Sequence, residues 1–172
     1  QTYRYREQVA DPLGNTRTGD WTDVTAATSG ALSAYAAEVS DDGPQFYWRF
    51  GESSGTTVDD AMNRMDGSRA GTITQAVVGA IQGDPNTAYT FAGGNTGSRV
   101  VTSQQLPDQQ DFAAEAWIKT STNSGGRIIG FSNGTSGASG KSARHVYMRN
   151  DGKLTFGVAA DSLQTITSTK SY

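Results

Sequence analysis

The chain has 172 residues, a formal net charge of −3 and no cysteine, which excludes disulfide bonds, thiolate catalysis and thiolate metal sites. It contains neither a run of lysine and arginine nor an apolar stretch of about 20 residues, so we expect no nucleic-acid partner and no membrane span. Glycine accounts for 21 residues, and this usage, with abundant serine and threonine, is typical of β-structure with many turns.

The first 29 residues predict a β-hairpin. Residues 3–6 read Tyr-Arg-Tyr-Arg, an alternation that indicates a strand with one face toward solvent. Residues 11–15 read Asp-Pro-Leu-Gly-Asn, in which proline presets φ and the glycine and asparagine tolerate positive φ, so we expect a turn there. A second strand is predicted over residues 16–25. Because two strands do not form an independent domain, the hairpin either ends a preceding module or packs onto the following domain.

A linker helix is predicted over residues 30–44. Leu32, Tyr35 and Val39 fall at helical spacing, and the segment is rich in alanine, which favours a helix. Residues 41–44 read Asp-Asp-Gly-Pro, and we expect the helix to end there because glycine and proline interrupt helices.

From residue 45 onward, short alternating segments separated by turn residues predict an antiparallel β-sandwich. An Asp-Gly pair at residues 151–152 lies between two such segments and is the strongest short-range signal for a hairpin. The predicted strands cover residues 47–50, 88–91, 99–102, 112–119, 127–131, 145–149, 153–158 and 164–169.

Several segments, in this order and spacing, resemble a laminin-G-like domain with a concanavalin-A-type jelly roll. The likeness covers roughly residues 35–172, and the family is common in large secreted proteins of actinobacteria and in tail proteins of their phages. The segments are YWRFGE at 47–52, SGTT at 54–57, DDAMNRMDG at 59–67, AIQGDPNTA at 80–88, FAG at 91–93, DFAAEAWI at 111–118 and DG at 151–152.

The resemblance implies an all-β, antiparallel jelly-roll β-sandwich over residues 45–172. Residues 1–29 similarly resemble the C-terminal strands of a fibronectin type III or Ig-like module. The family's sandwich continues past the position that Tyr172 occupies here. We therefore expect an incomplete sandwich, whose remaining strands come from a longer multidomain chain or from a neighbouring subunit.

The resemblance also implies a calcium ion in a loop at the rim of the sandwich. Asp59, Asp60 and Asp66 lie within residues 59–67, together with an asparagine and a glycine. Calcium prefers such oxygen ligands, although the spacing is not that of an EF-hand and two methionines and an arginine replace smaller residues of the family. The alternative is an ordinary surface loop whose aspartates cap turns.

Carbohydrate binding is the role that the resemblance suggests first. We predict that Trp117, Arg127, His145 and Tyr147 share one sheet face, where aromatic rings stack on sugars and polar neighbours bind hydroxyl groups. The alternation over residues 112–119 leaves open which side faces the core. The alternative for Trp117 is burial beneath a loop.

Signals for catalysis are weak. His145 is the only histidine, and no Gly-x-Ser-x-Gly elbow lies between a strand and a helix. Related jelly rolls that are glycosidases place two acidic residues at period two on one strand, whereas Glu115 stands alone between two alanines. We therefore expect a protein that is not an enzyme.

The expected function is a non-catalytic extracellular or cell-surface module for binding or adhesion, which recognises a glycan or a protein. One alternative is a structural domain that decorates a phage tail, a virion or a surface filament. Another is an accessory carbohydrate-binding domain of a secreted glycoside hydrolase. A fold by itself does not decide among them.

Overall fold

The computed structural model describes residues 2–5, 8–10, 15–25, 32–106, 111–134, 142–159 and 162–172. The described chain is mostly β, its strand pairs are all antiparallel, and it holds one α-helix. The prediction of an antiparallel all-β protein is thus confirmed at the level of fold class. The chain divides into two compact units, Gln1–Val39 and Ser40–Tyr172.

The first unit contains the predicted hairpin. The first of its strands pairs with the fourth and the second with the third. The four strands are β1 (Thr2–Tyr5), β2 (Gln8–Ala10), β3 (Thr16–Thr18) and β4 (Thr22–Thr25). Most of the turn predicted at residues 11–15 lies outside the described residues.

The α-helix of the described chain, α1 (Ala34–Asp41), lies inside the segment predicted to be helical, and a short 3-10 helix spans Gly94–Thr96. Ser33 caps its N-terminus, since its Oγ atom accepts a hydrogen bond from the Ala36 backbone N–H at 3.2 Å. After the helix, Gly43 takes a left-handed φ of 66°, a conformation that favours glycine. Within the described part of the chain, no helix has the length and apolar character needed to cross a membrane.

The described residues of the second unit form three small sheets. One is three-stranded, in the order β5-β6-β9, one pairs β7 with β8, and one is a four-stranded meander, β10-β11-β12-β13. The strands are β5 (Thr57–Val58), β6 (Gly67–Ala70), β7 (Ile73–Val78), β8 (Thr87–Phe91), β9 (Arg99–Thr102), β10 (Gly126–Ser132), β11 (Ser142–Met148), β12 (Lys153–Ala159) and β13 (Leu163–Ser171).

Two predicted strands are wrong. Residues 112–119 form no strand, and residues 113–120 are exposed. At residues 47–50, only Trp48 makes a β-bridge, with Asp60. Alternation of residue types indicates two faces but does not supply the hydrogen-bonded neighbour that a strand requires.

The remaining predicted strands, from residue 88 onward, are present. The short strands β5, β6 and β7 were not predicted. β6 has few apolar residues, and β7 is interrupted by a bulge that contains Ala76 with a φ of 57°. Such a bulge breaks the period of two that identifies a strand in sequence.

The apolar side of the four-stranded sheet is covered in part by an irregular segment. One row of cross-strand partners runs across all four strands: Ile129, Val146, Phe156 and Ile166. Phe112 packs on this side, with its ring centre 5.3 Å from that of Phe131 and 5.9 Å from that of Phe156. Ile166 nevertheless remains 71% exposed.

Candidate functional site

The loop predicted to bind calcium is organised around the carboxylate of Asp60, which is only 2% exposed. Both carboxylate oxygens accept hydrogen bonds from backbone N–H groups. The Oδ1 atom accepts from Tyr47 at 2.7 Å and Met62 at 3.1 Å, and the Oδ2 atom accepts from Arg64 and Met65, both at 3.0 Å. One side chain therefore fixes the backbone of the whole loop.

These bonds determine the protonation of Asp60. Burial by itself would raise the pKa of the carboxyl group, but the four backbone donors outweigh burial and hold the pKa below its usual value of 3.8. Because the charged form receives all four hydrogen bonds, the loop requires an ionised Asp60.

The other two predicted calcium ligands occupy different positions around Asp60. Asp66 Oδ1 accepts a hydrogen bond from the Asp60 backbone N–H at 3.0 Å, whereas the Asp59 side chain is exposed. Among the described residues, no group of three or more acidic, histidine or cysteine side chains is placed to hold a metal ion. Calcium binding stays a prediction, while the geometry gives Asp60 a structural role.

The four-stranded sheet brings three of the four predicted ligand-binding residues onto one face. Cross-strand partners lie on the same side of a sheet, and two adjacent rows of partners define what we call the polar face. The first row contains Arg127, Tyr147, Thr155 and Thr167, and the second contains Gly130, His145, Gly157 and Thr165.

His145 occupies the centre of the polar face with a glycine on either side. A Cβ atom at Gly130 would lie 2.5 Å from His145 Nδ1 and 2.8 Å from Arg127 Cδ, so both side chains lie over this glycine. Neither ring nitrogen of His145 has a hydrogen-bond partner among the residues that the structure describes, and both are buried. Burial, and then the charge of Arg127, lower the pKa of His145 below 6.5, so the ring is neutral at pH 7.

Trp117 is not placed on the polar face by any strand. It lies in the irregular segment that follows Phe112, and its side chain is 67% exposed. The alternative that Trp117 is buried is therefore wrong. Its exposure is nonetheless compatible with contact to a ligand.

Residues 130–134 read Gly-Phe-Ser-Asn-Gly, the residue pattern of a nucleophile elbow. Ser132, however, is the last residue of β10, and its Oγ atom donates a 3.4 Å hydrogen bond to the carbonyl oxygen of Gly134. Its backbone pairs with β11 rather than turning sharply into a helix, so this position lacks the geometry that exposes a catalytic serine.

Sequence reasoning missed a cleft of about 320 Å³ in the second unit. It is lined by Arg49, Gly51, Glu52, Asp59, Ala61 and Asn86. Glu52 and Asp59 are conspicuous acidic residues in the sequence, but nothing local indicates that Asn86 lies beside them. The contact joins segments more than 30 residues apart, as shown by the 2.8 Å hydrogen bond from Asn86 Nδ2 to the Arg49 carbonyl oxygen.

Comparisons with known proteins return nothing: no protein-family model matches the sequence, no curated protein matches it, and no solved structure matches the fold.

Proposed function

We propose that this protein is a non-catalytic extracellular module for binding or adhesion, which recognises a glycan or a protein surface through its polar face. The observation that carries the proposal is the cross-strand pair of Arg127 and Tyr147 beside His145. Arginine and tyrosine are the residue types most enriched where proteins bind partners. His145 adds two ring nitrogens that have no partner within the described protein.

The chemistry of this face suits a polar ligand. Arg127 is exposed and offers guanidinium donors, and the half-buried Tyr147 offers an aromatic ring with a hydroxyl group. In the same row, Thr155 is buried and its Oγ1 atom lies 2.9 Å from that of the half-buried Thr167, so Thr167 is the threonine whose hydroxyl group can reach a ligand. Aromatic, cationic and hydroxyl groups together are the set that stacks on a sugar ring or packs on a protein.

We also propose that the sheets of the second unit belong to a laminin-G-like jelly roll. Support comes from the sequence of short antiparallel strands and from the hairpin at residues 151–152. There the Gly152 N–H donates to the Arg149 carbonyl oxygen at 3.0 Å, and Gly152 takes a φ of 77°. This proposal carries with it the extracellular location expected for the family.

A structural role in a virion or surface filament is the second candidate, and β13 is the observation that favours it. Among the described residues, this nine-residue strand has a paired neighbour on one side only, and Leu163 and Ile166 on it are 69% and 71% exposed. Edge strands with free backbone groups pair readily with strands of other chains, which suits an assembly subunit.

The test is a glycan and polysaccharide binding screen on the purified chain, with calcium and with a chelator. We expect at least one glycan to bind, and we expect Arg127→Ala with Tyr147→Ala to weaken that binding about tenfold or more. Arg149→Ala is the matched control, since Arg149 is an exposed arginine that pairs with Asp151 in the hairpin turn. Calcium dependence would separately support the predicted ion.

Two outcomes oppose the proposal. A folded protein that binds no glycan, and that forms concentration-dependent oligomers lost in an Ile166→Lys variant, favours the structural role. If a glycan still binds after both substitutions, the polar face is not its binding site.

A further inference from the structure

The cleft around Arg49 is a second polar site, separate from the residues of the polar face. Its lining combines three kinds of group: the guanidinium of Arg49, the carboxylates of Glu52 and Asp59, and the amide of Asn86. A volume of about 320 Å³ falls at the lower end of the range for small-molecule pockets.

Glu52 is held in place by groups behind the cleft. Its Oε2 atom accepts a 2.6 Å hydrogen bond from the Tyr89 hydroxyl, and its Oε1 atom accepts one from the Asp59 backbone N–H at 2.9 Å. Burial and then the bond to Glu52 raise the pKa of Tyr89 to about 12, so the hydroxyl stays a donor at neutral pH. Gln75 Nε2 in turn donates to the Tyr89 oxygen at 2.9 Å.

Arg49 and Asn86 are fixed by a different set of contacts. Arg49 Nη2 lies 3.6 Å from Asp84 Oδ1, and the same oxygen accepts a 2.8 Å hydrogen bond from the Asn86 backbone N–H. Asn86 Nδ2 donates to the carbonyl oxygens of Arg49 and Thr87, both at 2.8 Å. A Cβ atom at residue 51 would lie 2.4 Å from Asn86 Oδ1, so only glycine leaves this arrangement intact.

The groups are therefore preorganised, a property that lowers the entropic cost of binding. Two of these groups can also form further hydrogen bonds. Asp59 is exposed, and its carboxylate accepts no hydrogen bond from the described residues. Arg49 Nε is buried and has no hydrogen-bond partner among the described residues, so this guanidinium is not fully satisfied by that part of the protein.

The charges restrict the class of ligand. Two carboxylates against one guanidinium, itself paired with Asp84, disfavour an anion, and among the described residues no three acidic side chains converge to hold a metal ion. A hydroxyl group both donates and accepts, so neighbouring hydroxyls can donate to carboxylates and accept from a guanidinium at the same time. We propose that this cleft binds a neutral, hydroxyl-rich small molecule, with Asp59 as acceptor and Arg49 as donor.

The experiment is a titration of the isotopically labelled chain, followed by the NMR shifts of backbone amides. The probes are glucose, galactose, mannose and N-acetylglucosamine, with sorbitol as an acyclic polyol that separates recognition of a saccharide ring from recognition of hydroxyl groups alone. We expect shifts at Gly51, Asp59 and Ala61. Asp59→Ala should weaken binding about tenfold or more, because a hydrogen bond to a charged group is lost.

Three further variants distinguish binding in the cleft from unfolding of the chain and from binding at the polar face. Glu115→Ala removes an equally exposed carboxylate elsewhere and should leave the affinity unchanged. Ala61→Leu narrows the cleft without removing any polar group and should also abolish the shifts. Arg127→Ala should leave this titration as it is, so a failure of the polar face does not count against the cleft.

Three results would overturn the proposal. The first is a folded wild-type chain whose cleft amides respond to none of the probes. The second is binding that Asp59→Ala and Ala61→Leu both leave intact. The third is a response of the same amides to calcium chloride alone, reversed by a chelator, which would assign the cleft to a metal ion.

Discussion

The loop of residues 59–67 and the polar face of the four-stranded sheet use their polar groups in opposite ways. In the loop, the buried carboxylate of Asp60 accepts four backbone hydrogen bonds. On the sheet, the two buried ring nitrogens of His145 have no hydrogen-bond partner in the part of the chain that the structure describes. The comparison indicates that the carboxylate of Asp60 holds the acidic loop together, whereas the ring nitrogens of His145 contribute no hydrogen bond to the described part of the sheet.

The difference has a simple physical origin. A buried carboxylate is tolerated only when it is hydrogen-bonded or paired, because desolvation of a charge is costly. An imidazole ring loses its charge at a much smaller cost, and burial together with Arg127 does lower the pKa of His145. A neutral ring without partners is therefore a tolerable arrangement at the sheet, while an unpartnered Asp60 is not.

The largest effect should come from breaking the loop. Asp60→Asn leaves one acceptor oxygen and directs an NH₂ group at backbone donors, so we expect the free energy of unfolding to fall by about 3 kcal/mol. Asp59→Asn, at an exposed neighbour, should change it by less than about 0.5 kcal/mol. Urea unfolding followed by circular dichroism measures both. Equal effects of the two variants would show that Asp60 does not organise the loop.

A second pair of variants compares the packing of the two regions. A Cβ atom at Gly67 would lie 2.8 Å from Val100 Cγ1, whereas at Gly157 the nearest atom would be Thr165 Cγ2 at 3.5 Å. We expect Gly67→Ala to cost about 2 kcal/mol and Gly157→Ala to stay within about 0.5 kcal/mol of wild type. Thermal unfolding measures the stability of both variants. If Gly157→Ala destabilises the protein more than Gly67→Ala does, the contrast in packing is contradicted.

The smallest effect concerns the pH dependence of stability. The folded-state pKa of His145 lies below 6.5, so as the pH falls below 6.5 the unfolded chain takes up a proton before the folded chain does. Stability should therefore decrease over this window. His145→Gln should remove this loss of stability, which is measured as the change in the urea midpoint of unfolding between pH 7.5 and pH 5.5. An Arg127→Gln variant should reduce it, because the repelling charge is gone; an unchanged slope in both variants would exclude His145 as its source.

Much of the strand pattern could be read from the sequence, and the hairpin at residues 151–152 shows why. The Asp-Gly turn needs only local chemistry: Gly152 takes a φ of 77°, and Asp151 Oδ1 accepts a hydrogen bond from the Lys153 N–H at 3.1 Å. The strands on either side then pair because they are adjacent in the chain. The alternation over residues 112–119 was equally clear in sequence, yet that segment has no strand partner.

Some features of the candidate sites could likewise be predicted from the local sequence, and others could not. The shared face of Arg127, His145 and Tyr147 follows from alternation and a local hairpin register, and was predicted. The role of Asp60 was not predicted, because all three aspartates of the loop look alike in sequence and only burial distinguishes Asp60, at 2% exposure, from its neighbours. The cleft around Arg49 was missed because Asn86 reaches it from a distant segment.

By itself, then, the sequence determined the all-β class, the N-terminal hairpin, the helix after it and the register of the C-terminal hairpin, since each depends on residues close together in the chain. The tertiary structure alone decided which carboxylate is buried, which alternating segment lacks a partner and which polar groups meet at Arg49. Those outcomes depend on hydrogen-bond partners and desolvation, and both are set by contacts between distant parts of the chain.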